Sequence, residues 1–121
     1  MISFEMLEAD AVVIVKPSGP LSEGDFRGLA GGVDQYLESH DGLSGLMIQV
    51  QEFPGWENFS GLVQHIKFVR KHHEIIQRVA LVTDSHIATA AISFANHFVS
   101  AEVRHFPFEE SENALSWVKQ R

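Results

Sequence analysis

Seven histidines, several serines near histidine or aspartate, and no cysteine are the side chains in this sequence whose chemistry could go beyond packing. The absence of Cys removes thiol catalysis, thiolate metal sites and disulfides. The histidines are not spaced for a metal. His72-His73-Glu74 is not a zinc-hydrolase helix, because adjacent helical residues diverge by about 100° and no two histidines stand four apart. Neither metal nor cofactor is expected. Ser93 and His97, four apart, can share a hydrogen bond on one helix, but a serine nucleophile also needs an orienting carboxylate and an oxyanion hole. The sequence places neither nearby, so no catalytic residue is assigned and a hydrolase ranks last among the readings. Asp84-Ser85 reads first as a helix N-cap, with Ser85 as a phosphate acceptor in the sharper alternative.

These side chains need elements to position them. Residues 1–7 and 11–17 read as two strands with only three residues between them, too short for a crossover helix, so they form an antiparallel hairpin. Further strands are expected at 45–50, 78–83 and 102–106, each preceded and followed by a helical pattern, which implies parallel pairing. Helices are predicted over 22–39, 56–74, 85–99 and 109–119. The first opens with Ser22 and Asp25 in capping-box spacing, and the last runs from Glu109, Glu110 and Glu112 to Lys119 and Arg121, matching the helix dipole. The fold class is therefore α/β: one domain over 1–121 with a mixed, mainly parallel five-stranded sheet and about four helices in the order ββαβαβαβα.

On the second helix, Phe59, Leu62, Ile66, Val69 and His73 form the apolar arc, which makes His73 a hydrogen-bonded core histidine. His65 and His72 share a flank with Gly61 and Phe68; it reads as a half-exposed boundary, with a binding surface as the alternative. The third helix carries no Asp, Glu, Lys or Arg. Its core stripe is Ile87, Ala91, Phe94 and Phe98, its second apolar flank Ala88, Ile92 and Val99, and its remaining face His86, Ser93 and His97. Two readings stand: a small-residue helix packed closely on the sheet, or the lining of a ligand pocket or subunit interface.

Ligands of open α/β sheets collect at the carboxyl ends of parallel strands. Here that edge comprises residues 17–20, 51–56, 84–86 and 106–108, rich in aromatics and prolines, which suits an apolar ligand or a partner. The candidate binding residues are Phe53, Pro54, Trp56, His86, Ile92, Ser93 and His97. No glycine-rich phosphate motif follows any strand.

With 9 Lys+Arg against 16 Asp+Glu the formal charge is −7, which argues against nucleic acid as a partner. Lys67, Arg70, Lys71 and Arg78 nonetheless cluster, as a solvated helix face or as a contact for an acidic partner or a peripheral membrane surface. The amino terminus lacks a signal-peptide pattern and no transmembrane segment is evident, so a cytoplasmic protein is expected. Edge strands and the uncharged helix make a homodimer an expectation as well.

The element order, Gly55-Trp56, the run Arg78-Val79-Ala80-Leu81-Val82-Thr83-Asp84, and the ending Val103-Arg104-His105-Phe106 to Ala114-Leu115-Ser116-Trp117-Val118 resemble the SpoIIAA-like family. That family is similar to STAS domains, which are non-enzymatic regulators, and is grouped with CRAL-TRIO-like lipid-binding domains. The resemblance implies a binding or regulatory role with an apolar, lipid-like ligand or a protein partner. Its alternative is the phosphoswitch of anti-sigma-factor antagonists, which place a phosphorylatable serine after the third strand. Residues 51–58 here contain no serine or threonine, so Ser60 is the nearest match and Ser85 the second phosphorylation candidate.

Overall fold

The computed structural model describes residues 1–120, and five strands form one sheet in the order β1-β2-β3-β4-β5. β1 (Ile2–Leu7) pairs antiparallel with β2 (Val12–Pro17), while β3 (Leu43–Gln49), β4 (Ile76–Val82) and β5 (Glu102–Phe106) continue in parallel. Helices α1 (Glu23–Leu37), α2 (Phe59–His72), α3 (Ile87–Phe98) and α4 (Ser111–Val118) complete the expected order, with short 3₁₀ turns at 73–75 and 108–110. The last helix thus begins two residues later than the acidic run predicts, and Arg121 lies outside the described residues.

Each parallel strand lies beside its predecessor, so every crossover advances the same way and right-handedness sets α1, α2 and α3 on one face. The opposite face carries α4, where Ala114 and Val118 meet Val12, Ile14, Met47, Ala80, Val82 and Phe106. On the first face, Leu29, Val33 and Tyr36 of α1 pack on Val13, Val15, Leu43 and Leu46. With both faces covered, Val12–Val15 read as an unbroken buried run.

β3 and β4 each begin two residues before the sequence suggests, because Leu43 pairs with Ile76 and Ser44 is satisfied by the end of α4. The Ser44 hydroxyl donates to the Val118 carbonyl at 2.9 Å, so a polar side chain survives in a buried strand. Beside it, Gly45 lets α4 approach: a Cβ there would collide with Val118. The capping box of α1 is present in both directions, Asp25 N–H to Ser22 Oγ at 3.1 Å and Ser22 N–H to Asp25 Oδ2 at 2.8 Å.

Two helices are rotated from their predicted phases. On α2 the predicted core arc is turned partly outward, with Phe59 78% exposed, Ile66 exposed and Leu62, Val69 and His73 half-buried, while Gly61 and His72 are buried and His65 and Phe68 half-buried. The flank expected to be a boundary is the packing face. A Cβ at Gly61 would meet the Leu21 carbonyl, so glycine is what admits this close approach.

On α3 the predicted core stripe is likewise the outer one: Ile87, Phe94 and Phe98 are 44%, 56% and 66% exposed, and Ala88 and Ala95 are buried. The reason is geometric. Among the ordered elements α3 packs chiefly on β5, the last strand, and a helix resting on one strand covers little beyond its small residues.

Candidate functional site

The loop after β3 is drawn onto the start of α1 and α2 by its own backbone. Leu21 forms a parallel bridge with Trp56, Leu21 N–H donates to the Gly55 carbonyl at 2.8 Å, and Glu57 N–H donates to Leu21 at 2.7 Å. Gly55, at φ 79°, supplies the left-handed turn that this return requires. Asn58 then caps α2, its Oδ1 accepting from Gly61 N–H at 3.1 Å.

That path sets four rings in series. Phe53 meets Trp56 edge-on with centroids 5.1 Å apart, the Trp56 indole N–H donates to His65 Nδ1 at 3.1 Å, and the far face of His65 stacks on Phe26 at 4.7 Å. Accepting at Nδ1 places the remaining proton on Nε2 of a neutral ring. Burial pushes the His65 pKa down to about 4 from its ordinary 6.5. His65 is thus a structural acceptor for Trp56, a role the sequence showed only as a shared flank.

His86, just before α3, and Ser93 and His97 on it are exposed, and Ile92 is half-buried. Among the described residues, Ser93 and His97 share no hydrogen bond, and no hydrogen bond or ring contact joins Phe53, Pro54 or Trp56 to α3. The candidate residues therefore form two separate groups: a ring cluster fixed on α1 and α2, and the open face of α3. A sheet wound in one direction has no strand-order reversal and hence no crevice between diverging helices at its carboxyl edge. Its loops are instead sewn together: Thr83 Oγ1 donates to Gln51 O at 3.0 Å, and Asp84 N–H to the same carbonyl at 3.0 Å.

Asp84 does not cap α3. Its Oδ1 accepts from Phe108 N–H at 3.1 Å in the next loop, and α3 begins after His86 without a side-chain cap. Ser85 is buried, and its N–H donates to Thr83 Oγ1 at 3.1 Å. Ser60, by contrast, is exposed in the first turn of α2.

The basic cluster is partly spent on structure. Lys71 Nζ donates to Asp34 Oδ2 at 3.0 Å, and His72, only 2% exposed, reaches Asp34 Oδ1 through Nε2 at 2.9 Å. Its Nδ1 faces the Phe68 carbonyl at 2.8 Å, so each ring nitrogen stands beside an oxygen. Partial burial raises the Asp34 pKa, but hydrogen bonds from His72 and Lys71 outweigh it and hold the carboxyl below its usual range. His72, not His73, is the core histidine; half-buried His73 accepts from Ser100 N–H at 3.0 Å. Among the described residues no group of three or more potential ligands is placed to hold a metal, and no helix is long and apolar enough to cross a membrane.

The SpoIIAA-like family model matches residues 12–119. Among solved structures, an uncharacterized protein of the DUF3478 family with a SpoIIAA-like fold, from Shewanella loihica PV-4, is similar with a TM-score of 0.78 and 23% identity. The similarity covers 98% of this chain and 92% of that one. The Bacillus cell fate determinant SpoIIAA in its phosphorylated form superimposes with a TM-score of 0.57 at 12% identity, over 95% and 99% of the two chains. At these identities the two structures speak for the fold alone. No curated protein gives a significant sequence match.

Proposed function

This chain belongs to the SpoIIAA-like family, and we propose that it is a non-enzymatic binding module whose contact surface is the outer face of α3, taking an apolar, lipid-like ligand or the apolar surface of a protein partner. One observation carries the reading. A helix without a single charged residue exposes Ile87, Phe94 and Phe98, with the two phenylalanine rings 4.8 Å apart as one apolar platform. Solvent-facing helices ordinarily carry charge, and apolar surface gathered in one place marks an interaction site.

Native and denaturing mass spectra of gently purified protein test this, with Phe94→Ser/Phe98→Ser beside the parent chain. A non-covalent mass on the parent that is lost in a folded double variant is the expected result. An unliganded parent monomer, or a bound mass indifferent to the substitutions, would overturn it.

A phosphoswitch is the second reading, favoured by the exposure of Ser60 in the first turn of α2. Free N–H groups there stabilise added negative charge. Intact-mass spectra of protein from its native host, with Ser60→Ala as control, would register the added phosphate; its absence during partner binding would dismiss the switch.

A further inference from the structure

On the face opposite α3, an open cleft of about 380 Å³ lies between α4 and the edge strand β5. Arg104 and Phe106 line one side, and Asn113, Ser116, Trp117 and Gln120 the other. Asn113, Ser116 and Trp117 recur at helical spacing on α4 and so present one stripe toward the strand, with Gln120 just beyond the helix end.

Arg104 is the unusual member. Its guanidinium carbon sits 4.7 Å from the Phe106 ring centroid and 5.9 Å from that of Trp117, and the rings themselves are 5.8 Å apart. Yet among the described residues it has neither a hydrogen bond nor an ion pair. In a chain of net charge −7, Arg27, Lys71, Arg78 and Lys119 each face a carboxylate, whereas the Arg104 guanidinium, held between two rings, has none.

Ring contacts engage the face of a guanidinium and leave its N–H edge free, and that edge is a planar fork matched to two oxygens of one anion. The two aromatic rings also restrict the side chain in advance, which lowers the entropy lost on binding. Around it, Ser116 and Gln120 add neutral donors. The one carboxylate lining the cleft, Glu110, already accepts from Asn113 Nδ2 at 3.2 Å. Behind the indole, the Arg78 guanidinium lies 5.9 Å from the Trp117 centroid and donates to the Gln120 carbonyl, adding positive charge and fixing the end of the wall. Its Nε is buried without a hydrogen-bond acceptor, Glu102 Oε2 standing 3.8 Å away.

We propose that this cleft is an oxyanion site in which the Arg104 fork receives a carboxylate or phosphate group against Trp117. It is independent of the α3 reading, being on the other face of the sheet.

The chain carries two tryptophans, Trp56 and Trp117, so NMR of the two indole N–H signals supplies a reporter and an internal control. The full chain is titrated with sodium phosphate and separately with sodium acetate, ionic strength being held constant with sodium chloride. A saturable displacement of the Trp117 signal with Trp56 unmoved is expected; which of the two anions produces it tells phosphate from carboxylate. Arg104→Gln, at an exposed position, should weaken that binding about tenfold or more, and Arg104→Lys less. Glu102→Gln, also at an exposed position, should strengthen it by removing a competing negative charge. Equal displacement of both indoles, no saturation with either anion, or undiminished binding by folded Arg104→Gln would overturn the assignment.

Discussion

The Trp56 indole donates its N–H to His65 Nδ1 at 3.1 Å, and this bond ties the loop after β3 to the second turn of α2. It exists only while Nδ1 keeps its lone pair, so the loop's anchor depends on an uncharged imidazole.

That dependence sets a pH window. His65 titrates at about 4 in the folded chain and near 6.5 when unfolded, so the unfolded state takes up the extra proton first. Its contribution is fully present above pH 6.5 and declines as pH falls, the loss reaching roughly 3 kcal/mol at most by about pH 4. Urea unfolding across that range should show the decline, and His65→Gln should flatten it.

Asp34 is the second pH-sensitive contact. Its lowered pKa means that its stabilisation is present at neutral pH and disappears as acid protonates the carboxylate. Asp34→Ala removes the acceptor of a buried histidine and should cost about 2–4 kcal/mol in urea unfolding, while Asp34→Asn, which keeps an oxygen, should cost less.

At Gly45 the backbone of β3 and Val118 of α4 share space that a methyl group would fill. Gly45→Ala should therefore destabilise by about 2 kcal/mol, within the usual overpacking range, and thermal unfolding reads it directly.

The outward stripe of α3 makes the opposite prediction. Phe94→Ser and Phe98→Ser remove exposed rings and should each change stability by within about 0.5 kcal/mol, whereas Ala88→Asp places a charge at a buried contact and should unfold the helix. Denaturation midpoints separate the two cases. Large losses at both phenylalanines would restore them to a core.

Element order, the antiparallel first pair and the capping of α1 are legible in the sequence because they depend on neighbours within a few residues: a three-residue hairpin connection, a Ser22–Asp25 spacing, a β-branched run. Helix phase is less so. The α2 packing face holds Gly61, His65, Phe68 and His72, and no hydropathy scale prefers two histidines and a glycine to Phe59 and Ile66. What reverses that preference is tertiary: an Asp34 on another helix to satisfy His72, a Trp56 to occupy His65, and a backbone at Leu21 that only glycine admits. For α3, the narrow support of β5 leaves the large residues outside, turning an expected core stripe into a surface. The Arg104 cleft escaped the sequence because Phe106 and Trp117, eleven residues apart, meet around it only after α4 folds back over the sheet.

The most direct test of the α3 surface is site-specific photocrosslinking in cells, with a benzoylphenylalanine at position 98 and, as control, at position 4, an exposed phenylalanine on β1. The account predicts a discrete adduct, lipid-sized or protein-sized, from position 98 and none of that mass from position 4. No adduct from position 98, or the same adduct from both, would contradict it.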